Sequence, residues 1–282
     1  MNKKICIYHG NCADGFTAAW VVREALGDDV EFVAGVYQTP PPDVTGADVY
    51  IVDFAYKRAI MEDIIAKAAS VTHIDHHATA IADCAGLEKH MTTLYSPENT
   101  ASGAMLTWMF FFPDKEVPQI IKHVDDRDRW KFVIPFTKEI QASMFSYAYT
   151  FENWDMLMKA NLQELITEGK AIDRKHLKDI RELIGVMKKR MCIAGYDVPV
   201  CNLPYTMSSE AGHIMAINEP FAACYYDKPD GREFSLRSSK EGIDVSAIAL
   251  QYGGGGHFHA AGFRVKYEDL EKLGLWHTQE QT

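Results

Sequence analysis

Three apolar runs in the first third of the chain end in residue types that bind metal. Ile5-Cys6-Ile7-Tyr8 leads into His9-Gly10-Asn11-Cys12-Ala13-Asp14-Gly15. Val49-Tyr50-Ile51-Val52 leads into Asp53, and Val71-Thr72-His73-Ile74 leads into Asp75-His76-His77. Ligands of open α/β sheets bind beyond the carboxyl ends of the strands, so these are the positions where chemistry is expected. Imidazole together with carboxylate suits borderline divalent ions such as Mn²⁺, Fe²⁺, Co²⁺ or Zn²⁺. Taken singly, an Asp after a strand is more often a helix cap or turn residue, and a His pair is more often a packing feature. Their recurrence at consecutive strand ends is what points to a metal site. A fourth acidic group, Asp125-Asp126-Arg127-Asp128-Arg129-Trp130, falls in a helical stretch. Its alternation with arginine would alone describe a solvated ion-pair face.

A second signal lies near the other end, in Gly253-Gly254-Gly255-Gly256-His257-Phe258-His259-Ala260-Ala261-Gly262. Successive glycines lose much backbone entropy on folding, which something must offset. Exposed N–H groups of such a run can form a nest for phosphate oxygens, with His257 as a further donor. The alternative is a flexible hairpin loop. Upstream, Ser235-Leu236-Arg237-Ser238 ends a strand with a guanidinium and two hydroxyls. Arginine suits bidentate phosphate contact, although a lone arginine is ordinarily a surface residue.

The elements that must position these groups follow from hydrophobic periodicity. Residues 5–8, 30–35, 49–52 and 71–74 read as strands, and residues 15–26 and 57–69 as helices. This βαβ rhythm predicts a largely parallel sheet with helices on its faces. Residues 98–191 are mainly helical in pattern. Within them 162–191 is long, charged and proline-free, a connecting helix or helix pair carrying glycines at 169 and 185. Short strands return at 199–203, 221–226 and 234–237, which places a domain boundary near 192.

Composition narrows the function. With 29 Lys and Arg against 39 Asp and Glu, the formal net charge is −10. Binding of long nucleic acid by bulk charge is disfavoured, so a nucleic-acid substrate would be short or held locally. No apolar run approaches the roughly 18 residues of a membrane span, and the apolar start is too short for a signal peptide. The six cysteines at 6, 12, 84, 192, 201 and 224 contain no C-x-x-C pair. Reduced thiols and a cytoplasmic location are the expectation.

The Asp75-His76-His77 triplet, with His9…Asp14-Gly15 before it and Asp53 between, resembles the DHH phosphoesterase superfamily. Arg237-Ser238 and the glycine-rich segment resemble its C-terminal DHH-associated domain, and the branch that looks most similar is the nano-RNase-like phosphodiesterases. The resemblance spans nearly the whole chain. It implies an α/β fold with an N-terminal, mostly parallel sheet bearing helices on both faces, a helical connector and a smaller C-terminal α/β domain. The corresponding bounds are 1–161, 162–192 and 193–282.

The same resemblance implies a phosphodiesterase dependent on one or two Mn²⁺ or other divalent transition-metal ions, with its site between two domains. Short oligonucleotides or linear dinucleotides would be cut to mononucleotides. His9 resembles a ligand of the first metal and Asp53 the bridging carboxylate. Asp14, His76 and an Asp of the 125–128 group, Asp126 before Asp128, resemble ligands of the second. His77 resembles the residue that contacts substrate phosphate or orients the site, with Asp75 behind it. Arg237, Ser238, Gly254, Gly255, Gly256 and His257 would bind substrate. The family's first carboxylate before the glycine is here Cys12, either a softer ligand or a bystander. Alternative readings are a phosphatase for 3′-phosphoadenosine 5′-phosphate or polyphosphate, and a degenerate nucleotide-binding protein. No membrane partner is expected. The oligomeric state stays open, a dimer among the alternatives.

Overall fold

The computed structural model describes residues 2–37 and 39–276. In chain order the first elements are β1 (Lys4–His9), α1 (Ala13–Leu26), β2 (Val30–Gly35), β3 (Asp48–Val52), α2 (Arg58–Lys67), β4 (Ser70–Asp75), α3 (Ala78–Asp83) and β5 (Thr92–Tyr95). Then come α4 (Gly103–Phe111), α5 (Gln119–Asp128), α6 (Thr137–Met144), α7 (Phe151–Lys159) and α8 (Leu162–Met187). The remainder is β6 (Lys189–Ile193), β7 (Tyr196–Asn202), α9 (Ser208–Met215), β8 (Ala222–Lys228), β9 (Gly231–Arg237), α10 (Val245–Gln251), β10 (Gly255–His257), β11 (Ala260–Lys266) and α11 (Tyr267–Leu270). The chain divides into two compact units, Met1–Asp173 and Arg174–Thr282, and the division falls inside α8.

The first unit is built on a five-stranded sheet of order β2-β1-β3-β4-β5, parallel throughout. Side chains of a strand alternate between faces, and both faces are covered here. Ile5, Ile7, Val49, Ile51 and Val71 pack into one core with Met61 and Ile64 of α2. Cys6, Val52 and Ile74 pack into the other with α1, α4, α5 and α7, through residues such as Val21, Leu106, Ile121 and Trp154. Burial on both sides is why these strands read as unbroken apolar runs. The polar edges of this helical layer are tied down. Trp154 Nε1 donates to Thr17 Oγ1 at 2.9 Å, and Trp20 Nε1 donates to Asp155 at 2.8 Å.

The strand order reverses between β1 and β3, since the chain leaves β1 to one side for β2 and returns to the other side for β3. This topological switch point opens a crevice at the carboxyl ends of the two strands. His9 is the last residue of β1, and Asp53 directly follows β3.

The second unit carries a mixed six-stranded sheet of order β10-β11-β9-β8-β7-β6, in which only β7 and β8 run parallel. One face packs with Val245 and Ile248 of α10 and Leu270 of α11. The other packs with Ala211 and Met215 of α9 and Ile180 of α8. The proline-free stretch from 162 is a single helix ending at Met187, and the predicted helical run to 191 stops earlier because Lys189 opens β6. No helix among the described residues is long and apolar enough to cross a membrane.

Candidate metal centre

Three strand ends and three helix ends of the first unit converge. Asp53 sits at φ 54°, a left-handed conformation uncommon without glycine but tolerated by Asp. Its N–H donates to Ile74 O at 2.9 Å, which locks the bend to β4. Asp14 lies in the first turn of α1, and Asp75 ends β4 with His76 and His77 directly after it. A Cβ on Gly103 would come 2.5 Å from the Asp53 Cβ. Glycine at the start of α4 therefore lets that helix approach the site.

Two triads share Asp53. His9, Asp53 and His77 bring one ligand atom each within 4.8 Å of one another, and so do Asp14, Asp53 and His76. His76 Nε2 lies 3.1 Å from Asp53 Oδ1, 3.4 Å from Asp128 Oδ2 and 3.8 Å from Asp14 Oδ2. His77 Nδ1 is 2.8 Å from Asp75 Oδ1 and 3.7 Å from Asp53 Oδ1. On the other side, His9 Nδ1 stands 3.6 Å from Asp53 Oδ2. Both of those atoms are buried and neither has a hydrogen-bond partner. A buried donor and carboxylate oxygen are rarely left unmatched. A divalent cation between them satisfies both, so this donor set fits a metal.

The electrostatics point the same way. Burial drives Asp14 well above the usual carboxylate range, and the Asp53 and Asp128 charges add to it. Asp128 is raised by burial too, although His76 pulls against the rise. Burial works against ionised Asp53, but His76 and His9 outweigh it and hold its carboxyl low. Burial also opposes charge on His9 and His76. For His9 the Asp53 and Cys12 groups prevail, and for His76 the Asp128 and Asp53 carboxylates, so both imidazoles rise well above their ordinary value. A buried set of carboxylates that recruits protons onto its imidazoles lacks positive charge, which a cation supplies.

The supporting contacts are specific. Asp75 Oδ1 accepts from the backbone N–H of His76 at 2.7 Å and of His77 at 2.9 Å, besides facing His77 Nδ1. Asp14 accepts from Ser102 Oγ and Gly103 N, each at 2.7 Å, and from Ala104 N at 3.1 Å. These donors form the first turn of α4, where the helix dipole favours a carboxylate. Cys12 precedes α1 without capping it. Its thiol is raised by burial while His9 lowers it, so it borders the site.

The acidic run sorts differently from the expectation. Asp126 faces away from the histidines: it accepts from Val133 N at 2.9 Å, Ile134 N at 3.1 Å and Thr137 Oγ1 at 2.6 Å. Asp125 accepts from Ser102 N at 2.8 Å and pairs with Arg129. Asp128 is the member of the run placed against His76. The preference for Asp126 is corrected accordingly, because both its oxygens are engaged in holding the following turn.

In the second unit Arg237 ends β9. Its guanidinium donates to Ser235 Oγ at 3.0 Å, Leu236 O at 2.8 Å and Ser209 Oγ at 2.9 Å. Ser238 is buried, with its hydroxyl 2.9 Å from His259 Nδ1. Part of the glycine run is drawn into regular structure. Gly253 N and Gly254 N donate to Leu250 O and Ala249 O at 3.1 and 2.9 Å, closing α10. Gly255, Gly256 and His257 form β10, paired with Gly262, Ala261 and Ala260. A side chain on Gly254 would collide with Gly262 O, so packing alone calls for glycine there.

Asn99 was missed in the sequence. Its Oδ1 lies 2.9 Å from His76 Nδ1, and it follows β5, a strand end the periodicity did not reveal. Asp128 was legible in principle, since positions 125 and 128 share a helix face. Ser102 and Gly103 carry the ordinary signature of a helix start, which the reading left unused.

Residues 207–274 match the family model described as the DHHA1 domain. An uncharacterised protein, R106, of Acanthamoeba polyphaga mimivirus is 28% identical over 96% of this chain and 71% of its own length. Among solved structures, a DHH domain described as a member of the s1p family of ribosomal proteins, PF0399, has a TM-score of 0.60 at 14% identity. The alignment covers 97% of this chain and 85% of that one. A pGpG-specific phosphodiesterase from Vibrio cholerae overlaps more loosely, with a TM-score of 0.43 at 15% identity over 97% and 96% of the two chains. The DHHA1 match is confined to residues 207–274, and the likeness to the PF0399 DHH domain is one of fold.

Proposed function

We propose that the chain is a metal-dependent phosphodiesterase that hydrolyses short oligonucleotides or linear dinucleotides to mononucleotides. The observation that carries this reading is the pair of ligand triads sharing Asp53. A shared carboxylate flanked by imidazoles on both sides can hold two cations close together, an arrangement suited to in-line displacement at phosphorus. His9, Asp53 and His77 would hold one ion, and Asp14, Asp53 and His76 the other, with Asp128 beside His76. Divalent ions there, Mn²⁺ first among them, would supply Lewis acidity and neutralise charge developing on phosphoryl oxygens.

The chain's own residues do the rest. Asn99 holds His76 Nδ1, which leaves Nε2 toward the carboxylates. Asp75 fixes the backbone and ring of His77. The first turn of α4 holds Asp14. Arg237 is proposed as a phosphate contact, because serine hydroxyls and a carbonyl orient its guanidinium. The DHHA1 match adds support from outside the metal centre.

The test is a panel. EDTA-stripped protein is reloaded with Mn²⁺ and offered dinucleotides, short RNA, longer RNA, single-stranded DNA, 3′-phosphoadenosine 5′-phosphate and polyphosphate. Turnover of dinucleotides and short RNA above the others is the expected result. Turnover confined to polyphosphate or the bisphosphate, or none at all, overturns the proposal.

A further inference from the structure

Between α5 and α6 three aromatic residues adopt positive φ within seven positions: Trp130 at 55°, Phe132 at 50° and Phe136 at 67°. Bulky side chains avoid this region, and each such residue costs on the order of 1 kcal/mol or more. The turn is nonetheless held firmly. The Asp126 carboxylate accepts from Val133, Ile134 and Thr137, and the Asp126 carbonyl accepts from Lys131 N at 2.9 Å. Folding thus retains a strained turn and leaves two of its apolar residues exposed, Phe136 at 48% and Val133 at 76%, with Trp130 and Phe132 partly buried.

Cations lie over these rings. The Arg127 guanidinium is 5.6 Å from the Trp130 ring centre and 4.6 Å from that of Phe145. Lys138 Nζ is 4.9 Å from the Phe132 ring and Lys170 Nζ 5.4 Å from the Phe136 ring. Four cation–ring pairs within residues 127–170 stand out in a chain of net charge −10. The assembly also begins at the metal centre. Asp128, directly after Arg127 in the chain, lies 3.4 Å from His76.

Aromatic faces interleaved with cations are what a single strand of nucleic acid requires, because every base offers a face to stack and every link a negative charge. We propose that the turn from Arg127 to Phe136, with Lys138, Phe145 and Lys170, is a stacking track for a single-stranded oligonucleotide leading from the metal centre. Among the short oligonucleotides of the proposed function, those longer than two nucleotides would then gain affinity from the track, without regard to base identity. The phosphodiesterase reading enters only in naming the reacting group, since the track is read from the turn itself.

The experiment measures binding without catalysis. A fluorescein-labelled single-stranded pentaribonucleotide is titrated with protein in EDTA and followed by anisotropy. Loss of one stacked base or one cation is expected to weaken binding about tenfold in each of Phe136→Ala and Lys170→Glu, and at least as much in Trp130→Ala. Circular dichroism confirms folding, and Lys170→Glu, on an exposed helix position, guards against a loss caused by misfolding. Native-like affinity in Phe136→Ala and folded Lys170→Glu overturns the track. So does displacement of the pentanucleotide by tripolyphosphate as readily as by unlabelled RNA. Weakened binding in a protein that hydrolyses no phosphoester sinks the proposed function and leaves the track standing. Hydrolysis with unchanged binding sinks the track alone.

Discussion

Asn99 Oδ1 accepts from His76 Nδ1 at 2.9 Å and so fixes which imidazole nitrogen faces the carboxylates. With Nδ1 donating to Asn99, Nε2 is the nitrogen that faces Asp53, 3.1 Å away, and the one a cation would take in place of its proton. Partners of this kind set the tautomer and orientation of a metal-binding histidine, and their loss typically costs ten- to a hundredfold in affinity. Asn99→Ala should weaken Mn²⁺ binding by about that factor, measured by calorimetry, while Asn99→Asp should keep it. Asn99 has φ 51°, so Asn99→Gly serves as a control that relieves the backbone without restoring the contact. Tight Mn²⁺ binding by both Asn99→Ala and Asn99→Gly would remove Asn99 from the metal centre.

Asp126 and Asp128 should separate by readout. Asp128→Asn removes a carboxylate that burial already disfavours as a charge, so the variant should fold normally and bind Mn²⁺ more weakly. Asp126→Ala leaves the N–H groups of Val133 and Ile134 unmatched. It should lower stability by about 2–3 kcal/mol in urea unfolding, as losing a buried charged acceptor does. The opposite pattern, with Asp126→Ala stable but unable to bind metal, would restore the first reading of the acidic run.

The strands bearing His9, Asp53 and Asp75 were legible because a parallel sheet buried on both faces leaves unbroken apolar runs. β5, with the sequence Thr92-Thr93-Leu94-Tyr95, lies at the sheet edge and is only partly buried. It gave no such run, and Asn99 behind it went unseen. Asp125, Asp126 and Asp128 are identical in type, and only the rotation of α5 against α4 and the turn after it decides their roles. The glycines at 253 to 256 signalled a special backbone correctly, but composition does not distinguish a phosphate nest from a helix end joined to a crowded strand.

The two glycines of α8 should respond oppositely to alanine. A Cβ on Gly185 meets nothing within 4 Å, so Gly185→Ala should stabilise by roughly 0.5–1 kcal/mol through helix propensity. A Cβ on Gly169 would run into the backbone carbonyl of Glu139, and backbone cannot swing aside as a flexible side chain can. Gly169→Ala should push α8 off α6 and lower the melting temperature despite the same gain in propensity. Thermal melts of the two variants side by side check this, and stabilisation by both would contradict the close approach of the helices.

Stability should also depend on pH through His73, which is fully buried on β4. Its Nδ1 is 2.8 Å from Tyr95 Oη, and its Nε2 is 3.0 Å from Phe54 O and 3.5 Å from Asp75 Oδ2. Burial opposes the charged ring, but Asp75 and Cys84 outweigh it and raise the group to about 9. The folded protein therefore binds this proton more tightly than the unfolded chain, whose histidine titrates near 6.5. The stabilisation is full below about pH 6.5 and is lost as pH rises through about 9, a fall of at most about 3 kcal/mol. Urea unfolding in EDTA between pH 6 and pH 10 should show it as a decline in midpoint across that window. His73→Gln keeps a hydrogen-bonding side chain without a titrating charge and should flatten the decline. A native profile that rises from pH 6.5 to 9 would mean that His73 is neutral in the fold and that Asp75 is held by other groups.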